Sequence, residues 1–85
     1  MPKTVFSGGH ATLVAALIEA RQKSGLTQAQ VAAKLGRDQS RISLIERSQR
    51  RVDVLEFVAI ARAVGADPIE LFAAVFASLP ADVTK

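Results

Sequence analysis

Apolar residues recur at helical intervals along most of the chain, and the intervals are punctuated by glycine and by helix-capping residues. From about residue 10 to residue 24, Leu13, Ala16, Leu17 and Ala20 share one helical face, and Gly25 follows where a left-handed C-terminal cap belongs. Thr27 opens a second segment with Gln30 placed to complete a capping box, Val31, Ala32 and Leu35 as its apolar stripe, and Gly36 as its end. Asp38 is the N-cap candidate of a third helix running to about Arg47, with Ile42 and Ile45 facing inward. Asp53 and Glu56 have capping-box spacing and start a fourth helix, which carries Val54, Phe57, Val58, Ala61 and Val64 and is closed by Gly65. Asp67-Pro68, with Glu70 three residues after the cap, starts a fifth, PIELFAAVFASL, which stops before Pro80. No stretch alternates with a strand period and no segment repeats. The pattern predicts an all-α domain over 10–79, preceded by a flexible arm over 1–9 that includes Gly8-Gly9 and followed by a tail over 80–85.

Helices two and three are separated only by Gly36-Arg37 and a cap, a connection short enough to force a steep crossing, as in a helix-turn-helix. At about 100° per residue, Ile42, Ile45 and Glu46 cluster on one side of helix three. Gln39, Ser40, Ser43, Leu44 and Arg47 occupy the opposite arc, with Arg41 at its flank. Helix three therefore has an inward apolar side and an outward face of hydrogen-bonding groups. Such a helix fits the DNA major groove, where Gln matches an adenine edge, Arg a guanine edge, Ser either, and Leu a thymine methyl. The same polar face would also serve as a solvated surface, and Leu44 could instead lie against helix two. Glu46, on the inner side, needs a partner because a lone buried carboxylate is costly.

Charge sharpens this picture. From Arg21 to Arg51 there are 8 basic residues against Asp38 and Glu46, which gives +6, while the rest of the chain holds 3 basic and 6 acidic residues, which gives −3. The net +3 is thus concentrated in one segment, as a surface facing nucleic acid would have it, although a basic segment alone is also compatible with an ordinary solvated face. With 85 residues, 49% of them hydrophobic, there is room for one domain, and a chain of this length buries only about 60% of its unfolded surface. A partner subunit would add to that. The absence of cysteine excludes disulfides and thiolate metal sites, and His10 is the only histidine. No metal, cofactor, small-molecule ligand or enzymatic activity is expected. The start MPKTVFSGGH lacks the apolar core of a signal peptide, and no stretch reaches the roughly 18 apolar residues of a membrane span. The expected setting is the cytoplasm, with no membrane partner.

Three segments, GLTQAQVAAKLG, QSRISLIER and IARAVGADPIELF, stand in the order and spacing of the Cro and phage-repressor (XRE) helix-turn-helix family, which the chain resembles from about Leu17 to Leu71. The resemblance implies a five-helix lambda-repressor-like fold that binds double-stranded DNA. It makes Gln39, Ser40, Arg41, Ser43 and Leu44 the base-reading set. By the same resemblance Gln28 contacts the DNA backbone and braces Gln39, Arg21 is the partner of Glu46, and Phe57 is core. Thr27 and Gln28, at the N-terminus of helix two, and Arg37, Arg47, Arg50 and Arg51 complete the expected phosphate contacts. One departure is Ser48, where the family usually has Gly after its Glu-Arg pair; either Ser48 adopts a left-handed conformation or the turn differs.

Helix five is apolar nearly all round, so its residues cannot all face one small core. A homodimer is the simplest cover for the second face, with Phe72, Val75, Phe76 and Leu79, in the segment 68–79, as candidates for the interface and some of them closing the domain's own core. Two recognition helices would then read half-sites roughly 34 Å apart. The leading expectation is a dimeric repressor at a palindromic operator. Alternatives are a restriction-modification controller, the antitoxin of a toxin pair, or a protein-interaction adaptor that has kept the fold without DNA binding.

Overall fold

In a computed structural model, residues 8–81 are described, and most of the expected tail and most of the expected arm lie outside them. Among the described residues there are five helices and no strand: α1 (Gly9–Ser24), α2 (Gln28–Leu35), α3 (Gln39–Glu46), α4 (Val54–Ala63) and α5 (Pro68–Ser78). The first helix starts earlier than its periodicity indicates: Gly9, placed above in the arm, is helical and buried. Helix α3 ends at Glu46, with Arg47 as its cap.

Local chemistry explains most of the boundaries. Thr27 and Gln30 form a full capping box at α2, and Asp53 and Glu56 form another at α4. Asp67 caps α5 through its carboxylate, which accepts from the Ile69 N–H at 2.9 Å, and Pro68 occupies the first turn. Asp38 stands at the N-cap of α3, but its side chain makes no capping hydrogen bond.

Helices α2, α3 and α4 end alike, each in a paired return of N–H groups to the last turn. In α2, Gly36 N–H bonds Ala33 O and Arg37 N–H bonds Ala32 O; in α4, Gly65 and Ala66 bond Arg62 O and Ala61 O. In α3 the same pattern is made by Ser48 N–H to Ile45 O and Gln49 N–H to Leu44 O. The residue at the turn must be left-handed, and Ser48 is, with φ 58°. Of the two alternatives for this connection, the chain takes the left-handed serine.

The core joins Leu17 of α1, Val31 and Ala32 of α2, Ile42 and Ile45 of α3, and Phe57, Ile60 and Val64 of the α4 region. Helix α1 packs on α3, α4 and α5, and α2 packs on α3 and α4. Helix α3 is thereby held on its Ile42 and Ile45 side, leaving the opposite side outward. In α5, Val75 is 2% exposed and belongs to the interior of the chain. It is therefore removed from the expected interface set: α1 and α4, which pack against α5, already cover the inner side of that helix. Phe72 and Phe76 remain 50% and 67% exposed, and Phe72 meets Phe57 edge-on with ring centroids 5.9 Å apart.

Candidate nucleic-acid interface

The first residue of α3 is fixed by a chain of polar contacts that begins on α1. Arg21 donates through Nε to Glu46 Oε2 at 2.6 Å and through a terminal nitrogen to Glu46 Oε1 at 3.0 Å, a bidentate pair. Its other terminal nitrogen donates to Leu26 O at 2.9 Å, in the turn before α2. The side chains are only 16% and 10% exposed, and the hydrogen bond to Glu46 raises the Arg21 pKa against the opposing effect of burial. Gln28 Nε2 donates to Glu46 Oε1 at 2.9 Å, and Gln39 Nε2 donates to Gln28 Oε1 at 3.4 Å. The order Arg21, Glu46, Gln28, Gln39 therefore runs from α1 through the end of α3 and the start of α2 to the start of α3.

The direction of these bonds matters for recognition. Gln39 spends one amide N–H on Gln28, which leaves its carbonyl oxygen and its second N–H for a ligand. An acceptor and a donor on one amide are what the adenine edge requires in the major groove. Gln39 and Ser40 are exposed, and Ser43 and Leu44 are half-buried beside them. Arg41 departs from expectation. Its guanidinium reaches the start of α4 and donates to Glu56 Oε2 at 2.6 Å, so in this conformation it is held in an ion pair.

The expected phosphate residues divide in the same way. Arg37 and Arg47 are exposed next to the two ends of α3, and Arg51 is exposed in the connection to α4. Arg50 is half-buried and donates to Glu56 Oε2 at 3.3 Å. Thr27 Oγ1 accepts from the Gln30 N–H at 3.1 Å, which leaves its hydroxyl hydrogen to donate, and Gln28 uses both ends of its amide within the protein.

Two features escape a reading of spacing alone. Glu56 is legible as a capping residue, and its Oε1 does accept from the Asp53 N–H at 3.4 Å, but its Oε2 gathers both Arg41 and Arg50. Burial would raise its pKa, yet the hydrogen bonds from Arg41, the Asp53 backbone and Arg50 outweigh that and hold it below the ordinary carboxylate value. His10 is half-buried, and its Nε2 accepts from the Val52 N–H at 3.2 Å, tying α1 to the segment before α4. Burial, then the nearby charge of Arg51, lowers its pKa.

A helix-turn-helix domain family model matches residues 12–74, most of the chain. An XRE-family like protein from Pseudomonas syringae pv. tomato str. DC3000 is 42% identical, with 85% of this chain and 88% of that one covered at a TM-score of 0.80. The chain belongs to the XRE family of helix-turn-helix proteins. This XRE-family chain is also similar to the restriction-modification controller C.AhdI from Aeromonas hydrophila, at 33% identity, 74% and 91% coverage and a TM-score of 0.67. The controller C.Esp1396I, solved as a tetramer with its natural 35 base-pair operator, shares the fold at 22% identity, 85% and 95% coverage and a TM-score of 0.76. No curated protein matches the chain. As an XRE-family member it is a DNA-binding transcriptional regulator. Among the described residues no helix is long and apolar enough to cross a membrane.

Proposed function

We propose that two copies of this chain bind a palindromic operator in the cytoplasm and repress transcription by occluding a promoter, each copy laying α3 in the major groove. The observation that carries this reading is the restrained Gln39, an exposed residue that keeps one amide donor and its acceptor for a ligand. Gln39, Ser40, Ser43 and Leu44 read bases, and Thr27, Gln28, Arg37, Arg47 and Arg51 approach phosphates, which fix register without reading sequence. The domain spans 10–79 together with Gly9. The exposed apolar residues Ile69, Phe72 and Phe76 of α5 and Val54 and Leu55 of α4 supply surface for pairing.

A second reading, a controller of a restriction-modification system, is favoured by the 33% identity to C.AhdI. It differs in the genes regulated and leaves the chemistry of the site unchanged.

Selection of bound duplexes from a random pool tests the proposal. An enriched inverted repeat is expected, and Gln39→Ala and Ser40→Ala should each weaken it by about 1–3 kcal/mol with little effect on random duplex. Equal losses on both DNAs would remove these residues from the base-reading set.

A further inference from the structure

Glu56 gathers two of the eight basic side chains of the 21–51 segment on one carboxylate oxygen, Arg41 at 2.6 Å and Arg50 at 3.3 Å. Both arginines also line, with Arg37, Asp38, Ser40 and Leu44, an open hollow of about 360 Å³ beside the N-terminal half of α3. The hollow adjoins the residues proposed to read bases, so a DNA strand lying against α3 would pass it. The guanidinium-bearing side chains are 31% and 40% exposed, which leaves them accessible to an incoming phosphate. As they stand, two positive charges and one negative charge make a cluster of +1.

We propose that Glu56 sets the strength and salt dependence of DNA binding, holding Arg41 and Arg50 in ion pairs that a phosphate must break before either arginine can contribute to affinity. The inference rests on the reading of α3 as the DNA-binding helix. Its physical basis is that phosphate contacts strengthen binding to every sequence alike, whereas base contacts do not. Two arginines occupied by a carboxylate release fewer counterions on association, so affinity for operator and random DNA alike is lowered while the contacts of Gln39 and Ser40 are untouched. Glu56 acts through the arginines and touches no base.

Glu56→Gln is a suitable probe because Gln also serves at the third position of a capping box, so the start of α4 is retained while the charge is removed. Binding to a random-sequence duplex would be measured over a series of salt concentrations, with helicity recorded in parallel. The variant is expected to bind random duplex about threefold to tenfold more tightly, with a log K against log salt slope steeper by about one unit. The selected inverted repeat should gain by a similar factor, since phosphate contacts do not read sequence. Adding Arg41→Gln and Arg50→Gln to this variant should return the slope to that of wild type. A test independent of Glu56 substitution uses Arg41→Gln and Arg50→Gln singly in the wild-type chain. Each should change the random-duplex slope by less than about half a unit, since those charges are already occupied.

An unchanged or weaker affinity of folded Glu56→Gln on random duplex would overturn the proposal, as would a loss of about a full unit of slope in either single arginine variant. If wild type and variants alike fail to hold any duplex at low salt, the reading of α3 itself is wrong and this inference falls with it. Wild-type binding with an unresponsive Glu56→Gln leaves that reading standing and removes only the role of Glu56.

Discussion

Ser48 carries a left-handed backbone, φ 58°, in a turn that the ends of α2 and α4 make with glycine. A left-handed conformation costs a residue with a Cβ roughly 1–2 kcal/mol, and glycine escapes that cost but loses more freedom on folding. Ser48→Gly is accordingly expected to stabilise the protein by about 0.5–1 kcal/mol, read from urea unfolding, with helicity unchanged. A destabilised variant would mean that the serine side chain holds the turn in some other way. His10 sets a pH dependence. Its pKa is lowered in the folded protein, first by burial and then by Arg51, and its Nε2 must stay unprotonated to accept from Val52. Between its folded and unfolded pKa values the unfolded chain therefore holds more protons, so stability rises with pH there. The contribution is whole above the unfolded value of about 6.5 and is lost as pH falls through the lower, folded value. Urea midpoints should drop from pH 7.5 to pH 5 in wild type and drop less in His10→Gln, the comparison that separates the imidazole from the carboxylates. Parallel pH profiles for the two proteins would contradict this account.

Helix α3 is held at two levels, by Ile42 and Ile45 in the core and by the polar chain from Arg21 to Gln39. Removing one member of a buried ion pair costs more than removing both, because the survivor keeps its desolvation cost without its partner. Arg21→Met should destabilise by about 3 kcal/mol, at the low end of the range for such pairs because Gln28 still donates to Glu46, and the double variant with Glu46→Leu should lie much closer to wild type. Additive effects in denaturant melts would show that the two side chains do not act as a pair. How far each element could be read from sequence follows the range of the interactions that define it. The capping boxes of α2 and α4 lie within four consecutive residues, so spacing alone predicts them, and the glycine ends are equally local. The Arg41 to Glu56 contact joins residues 15 apart and exists because the fold brings the first turns of α3 and α4 within reach of each other, which no periodicity encodes. Arg41 thus reads from a helical wheel as a base contact, while the fold draws it toward α4. Asp38 shows the reverse limit: it occupies the expected cap position without the expected side-chain bond.

For the whole molecule, the deciding quantity is apolar surface left uncovered. A single helix-turn-helix makes few base contacts, and non-specific affinity is only about 10⁻⁴–10⁻⁶ M, so joining two subunits is the physical route to an operator that stands out from the rest of a genome. Sequence marks α5 as apolar nearly all round, but only packing sorts its faces. Val75 turns into the chain at 2% exposure, whereas Ile69, Phe72 and Phe76 stay 81%, 50% and 67% exposed, with Val54 and Leu55 of α4 exposed as well. Substitutions on the two faces should therefore fail in different ways. Val75→Glu forces a charge into the interior and is expected to destabilise the domain by several kcal/mol, seen as lost helicity and early thermal unfolding. Phe76→Glu places its charge on the outer face, so the variant should stay folded, sediment as a monomer, and bind the inverted repeat with affinity reduced at least about tenfold while half-site binding persists. The two variants serve as each other's control, since loss of operator binding in Val75→Glu alone would report only unfolding. A wild-type chain that is monomeric at micromolar concentration and still binds the inverted repeat tightly would place the pairing on the DNA and not on α5. A Phe76→Glu variant that remains dimeric would move the interface to another face.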